Sequence, residues 1–241
     1  MAAVKSASSC FAIGIRTGKK SIVGKTKTTS LDSDELNFAI ISCSDYQRGY
    51  FNSYAALANE NNLDAVIHLG DYIYEYDKDG YATEDSKRFN RVVDPKHEIV
   101  SLNDYRRRHA QYKSDLDLQE LHKSKPMIAV WDDHEFTNDS WKYGAENHQN
   151  DEGFFQSRKA NAIKAYLEWM PIRENKSKLK IWRKFEVGNL FQLLMLDTRS
   201  IYRDKQLNIE AVSYTHLRAH ETPEQRGWRG VLGKKRGGGG G

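Results

Sequence analysis

Two short apolar runs, Asp64-Ala65-Val66-Ile67 and Pro126-Met127-Ile128-Ala129-Val130, each break off into acids, histidine and aromatic rings. The first continues as His68-Leu69-Gly70-Asp71-Tyr72-Ile73-Tyr74-Glu75-Tyr76, the second as Trp131-Asp132-Asp133-His134-Glu135. A short, unbroken apolar run is the mark of a strand buried on both faces, as in a parallel sheet. Open α/β sheets collect their ligand chemistry just beyond the carboxyl ends of such strands. The pattern therefore predicts an α/β fold with one sheet edge that gathers Asp, Tyr and His, a donor set suited to hard metal ions.

The intervening sequence fits that fold. Leu36 to Cys43 reads as a first core strand, β-branched and apolar. A helix carrying Tyr50, Tyr54, Leu57 and Ala58 at helical spacing separates it from the strand over Asp64–Leu69. This β-α-β succession predicts a parallel pair with a right-handed crossover. Tyr76 to Lys96 is a polar excursion of the kind that carries function. Ser101-Leu102-Asn103-Asp104 has the form of a capping box opening a helix through about Tyr112. A short helix with Leu116, Leu118 and Leu121 follows, then the strand from Pro126. A helix from about Gly153 to Met170 places Ile163, Tyr166, Leu167 and Met170 on one face before Pro171 stops it. Gly188-Asn189 between Trp182–Val187 and Leu190–Leu196 predicts a hairpin. Near the start, Phe11–Ile15 and Ser21–Val23 predict a second, smaller one.

Charge needs the last thirty residues considered apart. Val212 to Thr222 (Val-Ser-Tyr-Thr-His-Leu-Arg-Ala-His-Glu-Thr) matches the translation of a DNA-sequencing adapter, and Gly237 to Gly241 matches a poly-G read-out. Such segments stand outside fold reasoning. The chain has 37 Lys and Arg against 33 Asp and Glu. Six of those bases and two of the acids lie after Ala211, so the remainder is balanced. The basic excess gives no support for a nucleic-acid partner. No stretch is long and apolar enough to span a bilayer, and Met1 to Arg16 lacks the apolar core of a signal peptide. Cys10 and Cys43 are too few for a disulfide framework. Oligomeric state is not legible from these features.

Several residues carry candidate chemistry. Asp71 and Tyr74 follow a strand three apart, so one irregular turn aims both at one ion. A phenol with a pKa near ~10 ligates well only when a strong Lewis acid such as ferric iron removes its proton. Tyr72, Tyr74 and Tyr76 also suit a strand simply as aromatics, and residue type leaves both readings open. Cys43, at the same sheet edge, is either a small buried hydrophobe or a thiolate ligand. If strand alternation persists, Asp133 and Glu135 face opposite to Asp132 and His134. So dense a set of acids favours a bound cation over mutual repulsion. Arg158, near the start of a long helix, has the fork that grips phosphate, whereas Arg106-Arg107-Arg108 reads as a solvated helix face. A carboxylate-pair glycoside hydrolase using Asp71 and Glu135 is the alternative reading. A non-catalytic fragment that binds cations or phosphate is another.

Cys43, Gly70–Glu75, Asp104–Arg108, Tyr112–Asp115, Trp131–Glu135, Asn138 and Leu196-Asp197-Thr198-Arg199, in this order, resemble the alkaline phosphatase D (PhoD-like) family of metallophosphatases. The resemblance runs from about Phe11 to Gln206. It implies a four-layer α/β/β/α sandwich and hydrolysis of phosphate mono- or diesters with ferric iron (Fe3+) and calcium (Ca2+). Matched motif by motif, Cys43 and Tyr74 are expected to ligate iron, Asp71 to bridge iron and calcium, and Asp133 to be a further ligand. Asn138 and Arg158 are expected at the phosphate or its calcium, and His134 as general acid. The parent protein is expected to be exported.

The implied organisation is a remnant of a preceding β-sandwich domain with a linker over 1–30, a catalytic domain over 31–211, and a non-native tail over 212–241. The family's remaining ligands, an Asp-Asn-His-type block and a later histidine, are expected downstream of Arg199. No histidine occurs between His148 and His216. The chain is therefore expected to carry only part of the site and to be inactive by itself.

Overall fold

The apolar runs form the central strand and one flanking strand of a three-stranded parallel sheet in a computed structural model that describes residues 8–11, 22–27, 35–172, 181–187 and 189–207. Strands β1 (Ser8–Phe11) and β2 (Gly24–Lys27) form an antiparallel pair in which Phe11 lies opposite Gly24. The pairing includes Phe11 from the expected small hairpin but lies outward of the rest; residues 12–21 of that expectation lie outside the described residues.

Strands β3 (Phe38–Ile41), β4 (Ala65–His68) and β5 (Met127–Ala129) form the parallel sheet in the order β3-β4-β5. All four residues of β4 are buried, as a central strand requires. The register sets Ile41 beside His68 and His68 beside Ala129, so the three strands end level. Helix α1 (Asn52–Asn59) connects the first two strands; α2 (Leu102–Lys113) and α3 (Leu116–Ser124) connect the second and third. The predicted capping box is present in both directions: Ser101 Oγ accepts from the Asp104 amide and Asp104 Oδ2 from the Ser101 amide. Asp115 caps α3 through the amides of Asp117 and Leu118 and pairs with Arg91 at 2.6 Å.

Helix α4 (Phe155–Trp169) and the hairpin β6 (Arg183–Val187) and β7 (Phe191–Met195) complete the described α-helices and strands, all within the unit Met1–Lys205. Of the second unit, from Gln206 onward, only Gln206 and Leu207 are described. The core is unusually aromatic: Phe51, Tyr54, Tyr72, Tyr105, Tyr112, Trp131, Phe136 and Tyr166 join Val66, Ile73, Ile99, Leu118 and Leu121. Each fully buried aliphatic side chain contributes on the order of 1.5–3 kcal/mol. The expected faces of α3 and α4 hold in part. Leu118, Leu121, Ile163, Tyr166 and Met170 are buried, but Leu116 is exposed.

The architecture is thus mixed α/β with small sheets. One expectation fails here. Arg106 is half-buried and Arg107 exposed, and they pair with Glu168 and Asp94, but Arg108 is fully buried. It donates to the carbonyls of Tyr74, Tyr76 and Pro95, and so holds the chain beyond β4 against α2. No helix among the described residues is long and apolar enough to cross a membrane.

Candidate metal centre

The site is built where β3, β4 and β5 end. Gly70 has a φ of 112°, and a Cβ there would stand 2.4 Å from the Asp132 amide nitrogen. Only glycine lets the chain after β4 lie directly on the chain after β5. The Cys43 amide donates to Gly70 O at 3.2 Å and the Ser44 amide to Asp71 O at 2.8 Å. Cys43 and Asp71 both take left-handed backbones, with φ 61° and 55°. Their side chains meet: Cys43 Sγ lies 3.3 Å from Asp71 Oδ2. Cys43 is exposed at this edge, which removes the reading of a buried hydrophobe.

Asp133 and His134 reach the same place by a turn rather than a strand. The amides of Phe136 and Thr137 both donate to Asp133 O, so the chain coils from Asp133, a few residues past the end of β5. The expected alternation, with Asp133 and His134 on opposite faces, is overturned for that reason. Ligand atoms of Asp71, Asp133 and His134 all lie within 4.8 Å of one another. Tyr74 stacks on His134 with ring centroids 4.2 Å apart.

Two buried glutamates hold these loops. Glu135 accepts from the amides of Asp71 (3.0 Å), Tyr72 (2.7 Å) and Asp132 (2.8 Å). Burial, joined by the charge of Asp71, pushes its carboxyl up to about 8 against those three amides. With both oxygens engaged by backbone, Glu135 is a staple between the two loops, and the Asp71–Glu135 glycosidase pair loses its second carboxylate. Glu75, fully buried, accepts from His134 Nδ1 (2.8 Å), Asn147 Nδ2 (2.9 Å) and the Asn138 amide (2.7 Å). Burial disfavours the His134 imidazolium, but the bond to Glu75 and the charges of Glu75, Asp71 and Asp133 prevail and lift it to about 9. His68 fixes the other side. Its Nδ1 accepts from the Gly70 amide, so Nε2 carries the hydrogen and donates to Ser44 Oγ at 3.1 Å.

The electrostatics of the cluster are those of a site short of positive charge. Burial pushes the Asp71 carboxyl up; Asp133 and Asp132 add to that against the pull of His134. Burial likewise raises Asp133, opposed by His134 and Arg199. Burial raises Cys43, and burial with the charges of Asp71 and Cys43 raises the Tyr74 phenol strongly. Asp71 Oδ1 is buried with no hydrogen-bond partner. A carboxylate oxygen left so in an interior calls for a cation, and the thiol, phenol and carboxylates around it are donors that fit one.

Asn138 and Arg158 sit differently. Asn138 Nδ2 donates to Glu146 at 2.9 Å. The Arg158 side chain is wholly buried and bonds Tyr105 Oη (3.1 Å), Asn147 O (3.0 Å), Glu152 (3.2 Å) and Glu98 (2.7 Å). Sequence reasoning assigned no part to Glu75 or Arg199 and paired Glu135 with the wrong role. Their signal is tertiary, though Glu75, Glu135 and Arg199 all lie inside the matched motifs.

A family model for PhoD-like phosphatases matches residues 38–235, a span that runs on through the adapter-like segment. Alkaline phosphatase D of Bacillus subtilis (strain 168) is 42% identical over 201 residues, covering 80% of this chain and 33% of that protein. A solved structure of PhoD aligns with a TM-score of 0.68 at 40% identity, covering 79% of this chain and 37% of that one. The chain thus spans about a third of the length of the curated relative it matches. By family model, sequence and fold together, the chain belongs to the PhoD-like phosphatase family.

Proposed function

We propose that the chain carries one side of the metal centre of a phosphate-ester hydrolase, within a four-layer α/β/β/α catalytic domain of an exported parent protein. Cys43 and Tyr74 would hold Fe3+, Asp71 would lie between Fe3+ and Ca2+, and Asp133 would be a further ligand. The observation that carries the reading is that ligand atoms of Asp71, Asp133 and His134 lie within 4.8 Å of one another, together with the buried, unpartnered Asp71 Oδ1 and the Cys43 thiol 3.3 Å from the same carboxylate. Such ions, when bound, supply Lewis-acid polarisation and neutralise phosphoryl oxygens in an in-line displacement.

The protein's own part is orientation and proton handling. His134, fixed at Nδ1 by Glu75, would use its free Nε2–H as the proton donor to the departing alkoxide. Asn138 and Arg158 reach a phosphate only by exchanging Glu146, and Glu98 with Glu152, for the ester. The substrates are phosphate mono- or diesters, and the chain by itself binds ions without turnover.

The test is a chromogenic phosphate ester offered with Fe3+ and Ca2+ to this chain and to a version of the relative's full length. Ion binding without turnover is expected from the first, and chelator-sensitive turnover from the second. Turnover that survives chelation removes the metal reading; brisk turnover by this chain removes the claim that its site is partial.

A further inference from the structure

Arg199 follows β7 and reaches across to the acidic turn after β5. Its guanidinium grips Asp132 with two prongs, Nε to Oδ1 at 2.6 Å and Nη2 to Oδ2 at 3.3 Å. Nη2 also lies 3.3 Å from Asp133 Oδ1, and Nη1 lies 3.6 Å from Asp139 Oδ1. The other Asp133 oxygen accepts from the Asp139 amide at 2.6 Å, and Asp139 holds a left-handed φ of 48°. The Arg199 backbone is itself pinned, since Asp197 Oδ1 accepts from the amides of Arg199 and Ser200.

We propose that Arg199 is a positioning residue for the cation site: it offsets three neighbouring aspartates and, through Oδ1, fixes the Asp133 carboxylate. The inference rests on the metal-binding reading of Asp133 above. Without the guanidinium, Asp132, Asp133 and Asp139 repel one another, and only the Asp139 amide still orients Asp133. The planar fork is what the geometry uses. A lysine supplies a single point of charge and cannot bridge Asp132 and Asp133 while reaching Asp139.

Calcium binding by titration calorimetry and hydrogen exchange at the Asp139 amide test this together. Arg199→Gln is expected to weaken calcium about 10- to 100-fold, the usual effect of losing a residue that orients a ligand. It is also expected to speed exchange at Asp139. Adding Asp132→Asn to that variant removes one of the unbalanced charges and is expected to slow exchange at Asp139 part of the way back. A folded Arg199→Gln chain that binds calcium as tightly as the parent overturns the proposal. Should that variant fail to fold, Arg199→Lys decides: weakened calcium binding supports the fork, parental affinity overturns it. A parent chain that binds no calcium sinks the metal reading itself. Exchange at Asp139 then judges Arg199 alone, faster exchange in the variant supporting its role and unchanged exchange ending it.

Discussion

The Cys43 thiol stands 3.3 Å from Asp71 Oδ2, and both residues hold left-handed backbones to bring this about. Such conformations cost non-glycine residues on the order of 1–2 kcal/mol, less for Asp than for Cys. The contact also sets a carboxylate raised by burial against a thiol and two further aspartates. Stability is given up here to hold donors together, and that has a measurable consequence. Asp71→Asn is expected to raise the stability of the ion-free chain by about 1 kcal/mol, because it removes a buried charge among like charges. The same substitution is expected to abolish ion binding. Urea unfolding and calorimetric ion titration of one preparation should move in opposite directions. A loss of both, or of neither, would show that Asp71 is an ordinary core residue.

Gly70 makes the two loops meet. An alanine Cβ would fall 2.4 Å from the Asp132 nitrogen and 2.8 Å from Trp131 C, both backbone atoms unable to yield. Its φ of 112° adds conformational strain for any L side chain. Gly70→Ala is expected to cost about 3 kcal/mol or more, seen in thermal unfolding, and to part Asp71 from Asp133. A variant of parental stability would mean that the loops do not touch as described.

Local chemistry was legible; partners from distant segments were not. The Ser101–Asp104 box and the Asp64–Leu69 strand were readable because their determinants lie within a few residues. Arg108 was misread as solvated because its acceptors, the carbonyls of Tyr74, Tyr76 and Pro95, are backbone atoms from another segment. Asp133 and His134 were expected on opposite faces because alternation was carried past Ala129, where the strand ends. Glu135 looked like half of a catalytic pair; nothing in its spacing says that it accepts from three amides, two of them more than sixty residues away.

Glu135 can be tested on that role. Glutamine keeps the shape but brings only one acceptor oxygen, and its NH2 would face an amide hydrogen. Above about pH 8, where the carboxyl is ionised, Glu135→Gln is expected to cost about 2–3 kcal/mol, the penalty of leaving one or two buried amides unpaired, and less at lower pH where Glu135 itself carries a proton. Amide exchange should quicken at Asp71, Tyr72 and Asp132 together. Quickening confined to one of them would show that the carboxylate does not bridge the two loops.

His109 gives the fold a pH dependence. It is fully buried between Tyr72, Tyr166 and Trp169, and neither ring nitrogen has a hydrogen-bond partner. Burial, with the charges of Lys113 and Arg108, depresses it from 6.5 to about 3. The unfolded chain therefore takes up a proton that the folded chain refuses between those values. Stability is complete above about 6.5 and falls as pH drops toward 3, by at most about 1.4 kcal/mol per pH unit from this group. His109→Phe is expected to raise the melting temperature at pH 7 and by more at pH 5. Parallel curves for the two proteins would rule this histidine out as the cause.

Arg158 separates a structural from a substrate-binding arginine. Its buried guanidinium ties α4 to Tyr105 of α2, to Asn147 and to Glu98 and Glu152. Arg158 is buried while Glu98 and Glu152 keep part of their solvent, so removing the guanidinium is expected to cost about 1–3 kcal/mol, less than for a fully buried pair. Arg158→Gln is therefore expected to lower the melting temperature markedly in the chain alone, with no substrate present. If instead the melt is unchanged while inorganic phosphate ceases to protect the chain, the guanidinium leaves Glu98 and Glu152 readily. The role implied by family resemblance would then prevail over the resting geometry. A large stability loss that the triple change Glu98→Gln, Glu152→Gln, Arg158→Gln reverses would place the arginine in the scaffold, since only mutual neutralisation explains recovery when all three charges are gone.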